Sequence, residues 1–90
     1  CGIVGIVDSG DVSFPLYYAL YALQHRGQES AGIATFDGLR LYKEKSQGLV
    51  AEVFNKKNLF ALKGGTGLGH VRYPTTGEKI PENIQPFTFT

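Results

Sequence analysis

The only cysteine in the sequence is residue 1, and that place gives the thiol a chemistry that an internal cysteine lacks. A nucleophilic thiol needs a base within reach or a depressed pKa. At residue 1 the base is part of the same residue. A free α-amine has a reference pKa of about 7.7–8.0, against about 8.5 for the thiol. The amine can take the thiol proton, directly or through a water, and later return it to a leaving amine, as the amine of an N-terminal Thr does. The plain alternative is an inert buried Cys.

Two further stretches carry side chains suited to holding a substrate. In the first, Leu23 to Gly32 runs from a helix end through a turn into a strand, and Arg26 at that corner can reach carbonyls or a carboxylate. Helix capping with a surface pair to Glu29 is the alternative. In the second, Gly69 to Gly77 places Arg72 where a strand gives way to a loop holding Pro74 and Gly77. A guanidinium fork there can bind a carboxylate through two parallel hydrogen bonds. Thr75 and Thr76 add hydroxyls, and the loop can close over a ligand. An ordinary strand-end Arg is the alternative.

Other patterns fail. Gly64-Gly65-Thr66-Gly67-Leu68-Gly69 does not match the dinucleotide fingerprint, and it precedes a strand instead of opening a helix. No Gly-Lys-Ser/Thr triplet exists, so there is no P-loop. Cys1, His25 and His70 lack metal-ligand spacing, and no metal site is expected. A Cys–His protease pair is set aside because Cys1 carries its own base.

The elements that must position these groups follow from periodicity and turn chemistry. Ile3 to Val7 is a nearly continuous apolar run, which predicts a strand covered on both faces. Asp8-Ser9-Gly10-Asp11 is a turn. Ser13 is placed to cap a helix, with Pro15 in its first turn. Leu16, Ala19, Leu20 and Leu23 make its buried stripe, and Gly27 is the natural residue just past its end. Ala31 to Phe36 and Leu39 to Glu44 read as strands joined by a two-residue Asp37-Gly38 turn. Leu49 to Phe54 and Leu59 to Leu62 read as short helical pieces, and Thr66 to Arg72 as a strand. The stretch from Tyr73 to Gln85 reads as a loop. Pro86 to Thr90 starts a further strand that stops in mid-pattern, so the expectation is a piece of a longer chain.

Bulk properties narrow the class. The chain has 90 residues, 42% apolar and 19% charged, which suits one small globular unit. Its formal net charge of +1 argues against nucleic-acid binding. No apolar run approaches the roughly 18 residues of a membrane span, and no basic region marks a signal peptide. The lone thiol fits a reducing, cytoplasmic setting. With no Met in the sequence, the expectation is that processing exposed Cys1. A lipoprotein cysteine would be followed by a polar tether, not by Gly2-Ile3-Val4. A cloning accident would not explain a core strand starting at the Cys.

Taken together, Cys1 to Ile6, His25 to Gly32, Gly69 to Thr75 and Gln85-Pro86-Phe87 resemble, in order and spacing, the class II glutamine amidotransferases. The likeness covers essentially all of residues 1–90, read as the amino-terminal part of the amidotransferase domain. It implies the α+β fold of the N-terminal nucleophile hydrolases, an αββα sandwich, incomplete within these residues. It also implies roles. Cys1 would attack the glutamine side-chain amide, form a thioester and release ammonia, with its α-amine as proton shuttle. Arg72 would bind the glutamine α-carboxylate, while Arg26, Gly27, Tyr73 and Thr75 would shape the glutamine site. The loop from Arg72 to Asn83, with Pro74, Thr76 and Gly77, would close as a lid and keep water out.

Within the family the sequence looks most like the branch that passes ammonia to phosphoribosyl pyrophosphate and opens purine synthesis. The glucosamine-phosphate branch usually has Trp after the loop Arg and a His soon after; Tyr73 and Thr76 stand there instead. Asparagine synthetases typically carry Pro after Arg-Gly, where this chain has Gln28. The resemblance further implies a homo-oligomeric parent, no cofactor within these residues and Mg2+ in the transferase domain; an iron–sulfur cluster, which some relatives carry, is left open. The family's oxyanion Asn-Gly pair, its acidic amine-binding residue and its transferase domain fall after Thr90. One oxyanion donor is worth roughly 2.7–4 kcal/mol, so these residues alone are expected to show negligible glutaminase activity. The competing readings are another class II amidotransferase, a cysteine hydrolase of a different amide, and a non-catalytic α+β module whose Cys1 is incidental.

Overall fold

The computed structural model describes residues 2–24 and 29–72. Four strands and three helices follow one another: β1 Gly2–Val7, α1 Ser13–Leu23, β2 Ser30–Phe36, β3 Leu41–Gln47, α2 Val50–Val53, α3 Lys56–Ala61 and β4 Thr66–Arg72. The strands make one antiparallel sheet in the order β1-β4-β2-β3. The last strand thus inserts between the first two, and the architecture is α+β as expected.

Side chains of a strand alternate between faces. The register therefore sorts the sheet into two surfaces. One carries Ala31, Ile33 and Thr35 of β2 with Gly67, Gly69 and Val71 of β4. Onto it α1 lays Leu16 and Leu20, both fully buried, and the following helices add Val50 and Leu59. Burying one such side chain is worth about 1.5–3 kcal/mol. The glycines set the helix-to-sheet distance: a Cβ at Gly67 would stand 2.6 Å from Leu16 Cδ1, and one at Gly69 would stand 3.0 Å from Leu20 Cδ1. Thr35 lies in this core with a hydroxyl that has no hydrogen-bond partner.

The opposite surface is mixed: Ser30, Ala34 and His70 are buried on it, and several apolar side chains are exposed. Ile3 is 65% and Val7 81% exposed there, with Phe36, Leu41 and Leu68 also exposed. This corrects the expectation that β1 is covered on both faces. Among the described residues it is an edge strand, with its Val4 and Ile6 side packed against the core. A continuous apolar run shows that a strand can be buried; what covers its second face is set by other elements. The other edge, β3, is guarded by Lys43, Glu44 and Lys45, the usual protection of a free strand edge.

Several boundaries differ from expectation for local reasons. Ser13 does not cap α1; Val12 occupies that place, and the Ser13 hydroxyl donates to the Leu59 carbonyl at 2.7 Å. The helix stops at Leu23 with an extended Gln24, and Gly27 lies outside the described residues. The β2–β3 turn spans Asp37 to Arg40, not two residues, since Phe36 pairs with Leu41. Asp37 Oδ1 accepts from the Leu39 and Arg40 amides at 2.8 and 2.7 Å, so the carboxylate builds the longer turn and its pKa falls below the ordinary value. The second helical piece starts at Lys56 because Asn55 and Asn58 form a reciprocal cap. At the far end of the sheet Gly64, at φ +115°, receives the Val12 amide on its carbonyl at 3.0 Å and donates to Asp11 Oδ1 at 2.9 Å. Among the described residues no helix is long and apolar enough to cross a membrane.

Candidate active site

The described residues that flank the candidate stretches gather at one end of the sheet. Gly2 pairs with Val71, and Arg72 pairs with Ser30. The Glu29 amide donates to the Arg72 carbonyl at 2.8 Å, and the Glu29 carbonyl accepts from Gly48 at 2.7 Å. Gln24 Oε1 accepts from the Val50 amide at 3.0 Å, tying the end of α1 to the start of α2. Gly2, Gln24, Glu29 and Arg72 are thus held by strand pairing or by hydrogen bonds.

Of the candidate residues, Arg72 is described: it is half-buried at the last position of β4. Cys1, Arg26, Gly27, Tyr73, Pro74, Thr75, Thr76 and Gly77 lie outside the described residues, as do His25 and the expected strand from Pro86. The described part supplies the frame to which they are bonded. Gly2 matters to that frame. A Cβ there would meet Leu23 Cδ1 at 3.1 Å and Val71 Cγ2 at 3.2 Å, so a larger residue would push the chain start away from α1 and β4.

His70 is a residue whose place the sequence does not reveal. Weighed above only as a metal ligand or protease base, it stands two residues before Arg72 and on the same face of β4, because strand parity is two. It is 3% exposed, although its cross-strand neighbour Ile3 is 65% exposed. Burial pushes its pKa below the ordinary histidine value, and the positive charges of the chain's amino terminus and Arg72 add to that. Burial thus favours the neutral imidazole. The signal for this placement is parity with Arg72, readable only once the strand is fixed. Among the described residues no three His, Cys, Asp or Glu side chains gather as a metal site would require.

Comparison with known proteins gives a consistent result. No family model matches the chain. An amidophosphoribosyltransferase of Methanothermobacter thermautotrophicus is 58% identical over 90 residues, 97% of this chain and 19% of the relative. One from Methanocaldococcus jannaschii is 54% identical over 89 residues, and one from Pseudomonas aeruginosa 51% over 87, spanning 19% and 17% of those relatives. The chain thus spans about a fifth of the length of the curated relatives it matches. Two solved structures agree at 47% identity over 97% of the chain. One is described as the allosteric regulatory enzyme of purine biosynthesis, with a TM-score of 0.88 and 19% of that chain covered. The other is glutamine phosphoribosylpyrophosphate amidotransferase from B. subtilis complexed with ADP and GMP, with a TM-score of 0.83 and 18% covered.

Proposed function

We propose, from the premise that this chain is homologous to the amino-terminal part of the amidophosphoribosyltransferases, that it is the start of the glutamine-hydrolysing half of such an enzyme. The observation that carries the reading is the pairing of Gly2 with Val71. It ties the residue next to Cys1 to the residue next to Arg72, so that nucleophile and carboxylate anchor start from one sheet end.

The chemistry then runs in balanced steps. The Cys1 α-amine takes the thiol proton, and Sγ attacks the carbonyl carbon of the glutamine side-chain amide. The tetrahedral intermediate collapses with cleavage of the C–N bond. The amine returns the proton to the departing nitrogen, ammonia leaves, and a thioester remains. Water hydrolyses the thioester to glutamate and free Cys1. Arg72 holds the substrate α-carboxylate through its fork. Arg26, Gly27, Tyr73 and Thr75 shape the glutamine site, and Pro74, Thr76 and Gly77 lie in the lid that excludes water.

The same reading extends to the parent. Ammonia displaces pyrophosphate from phosphoribosyl pyrophosphate and gives phosphoribosylamine, in a transferase domain that holds Mg2+ and none of these residues. The parent is a cytoplasmic homo-oligomer. The complete amidotransferase domain is an αββα sandwich, and the exposed Ile3, Val7 and Phe36 side of the sheet supports a second layer.

An electrophilic glutamine analogue, 6-diazo-5-oxo-norleucine, tests the reading on the full-length chain. Covalent labelling at Cys1 is expected, with loss of the label in Cys1→Ser and protection by glutamine but not by asparagine. A folded chain that takes no label overturns the reading.

A further inference from the structure

Asp37-Gly38 is the one Asp-Gly pair in the sequence, and it opens the turn between β2 and β3. Such a pair can modify itself. The Gly38 nitrogen attacks the side-chain carboxyl carbon of Asp37, the N–H proton and the carboxyl hydroxyl leave as water, and a cyclic imide forms. Water then adds to either imide carbonyl. One opening restores aspartate. The other routes the backbone through the former side chain and gives an isoaspartate of unchanged mass. Glycine favours the first step because no Cβ shields its nitrogen.

The turn leaves room for this chemistry. Asp37, Gly38, Leu39 and Arg40 are all exposed. Gly38 has φ +99°, and a Cβ there would meet nothing within 4 Å among the described residues. The carboxylate, in contrast, is fully engaged. Oδ1 accepts from the Leu39 and Arg40 amides at 2.8 and 2.7 Å, and Oδ2 accepts from the Tyr42 hydroxyl at 3.0 Å. Tyr42 belongs to β3 and packs against the core, so the sheet itself brings this third donor to the turn.

These three bonds oppose cyclisation in two ways. The hydroxyl departs from the neutral acid, not from the carboxylate, and donors to the ionised form favour that form. The Arg40 and Leu39 amides, with a smaller part from Tyr42, hold the Asp37 carboxyl below its ordinary pKa. The carboxyl carbon must also swing onto the Gly38 nitrogen, which a group tied at both oxygens resists. The same bond raises the Tyr42 pKa, so the phenol stays a donor at neutral pH.

We propose that Asp37-Gly38 is a self-modification site that the folded turn holds inactive, with Tyr42 as the side chain that secures the second carboxylate oxygen. The conversion would matter to the sheet. Among the described residues β3 is an edge strand paired with β2 alone, and its first pair is Phe36 with Leu41. An isoaspartate lengthens the backbone just ahead of that pair and removes the acceptor that captures the Leu39 and Arg40 amides. The edge then loosens from Leu41 onward.

The test incubates the full-length chain at mildly acid pH and follows residue 37 by peptide mapping that separates α-linked from β-linked aspartate. The native folded form and the same chain unfolded in urea are compared first. Unfolding releases all three bonds, so isoaspartate should accumulate at least roughly tenfold faster. Folded Tyr42→Phe keeps the ring but not the hydroxyl. Assayed well below its urea midpoint, it should exceed the folded native rate by roughly threefold, the order expected for one lost hydrogen bond. Equal rates in the folded and unfolded native chain overturn the proposal, and so does a folded Tyr42→Phe that isomerises no faster than native. If Tyr42→Phe does not fold, the comparison of folded and unfolded native chain decides.

Discussion

At Thr35 a hydroxyl sits in the core, fully buried and without a hydrogen-bond partner. An unpaired buried hydroxyl costs about 1–3 kcal/mol. Thr35→Val keeps the shape and removes the unpaired group, so stability should rise by about 1 kcal/mol, read as a higher urea midpoint at unchanged slope. His70 gives the opposite kind of prediction, one in pH. Its folded pKa lies below the ordinary histidine value of 6.5, so around and below that pH the unfolded chain binds more protons. The stability it confers is complete above pH 6.5 and is lost as pH falls toward the folded value. Urea midpoints of the native form should therefore drop on acidification more steeply than those of His70→Gln. At this scale the sequence singles out Cys1 and Arg72 by type and place; Arg72 stands at the last position of β4, and Cys1 lies outside the described residues. His70 was not legible, because a lone histidine acquires meaning only from the rows of a paired sheet.

Among the elements, α1 carries most of the packing that fixes the site end. Leu20 lies against Gly69, and Leu23 against Gly2, so the helix contacts both strands that lead to the candidate site. Leu20→Ala should cost about 2–5 kcal/mol, measured by chemical denaturation. The short α3 depends on its cap: Asn55→Ala removes the bond that its side chain accepts from Asn58 at 2.9 Å. The expected loss is about 1 kcal/mol, visible as faster amide exchange in Lys56–Ala61. The bounds of β4 could be read from Gly64-Gly65 before it and Pro74 after it, which punctuate the chain regardless of tertiary context. The β2–β3 turn could not, because Asp-Gly signals a tight turn, while here Asp37 captures two later amides and lengthens it.

At the scale of the molecule, the described helices cover one surface of the sheet, and the other exposes Ile3, Val7, Phe36, Leu41 and Leu68. Residues 1–90 expressed alone should self-associate and bind a hydrophobic dye through that surface, and Val7→Lys should reduce both. They should hydrolyse no measurable glutamine under conditions in which the full-length chain does. The helix side of the sheet was legible from the Leu16 and Leu20 spacing. The open side was not, since an apolar strand reads the same with one face covered or two. The sheet also divides labour by the parity of residue number along β4. Odd positions, Gly67, Gly69 and Val71, govern how closely the helix approaches. Even positions, His70 and Arg72, lie on the opposite surface, which the proposed reading assigns to the glutamine site. A saturation scan of these seven residues should therefore split into two interleaved classes, odd-numbered substitutions lowering abundance and even-numbered ones near the strand's end lowering turnover at normal abundance. One strand would then carry two nearly independent records of selection, read from alternate letters of the same sequence.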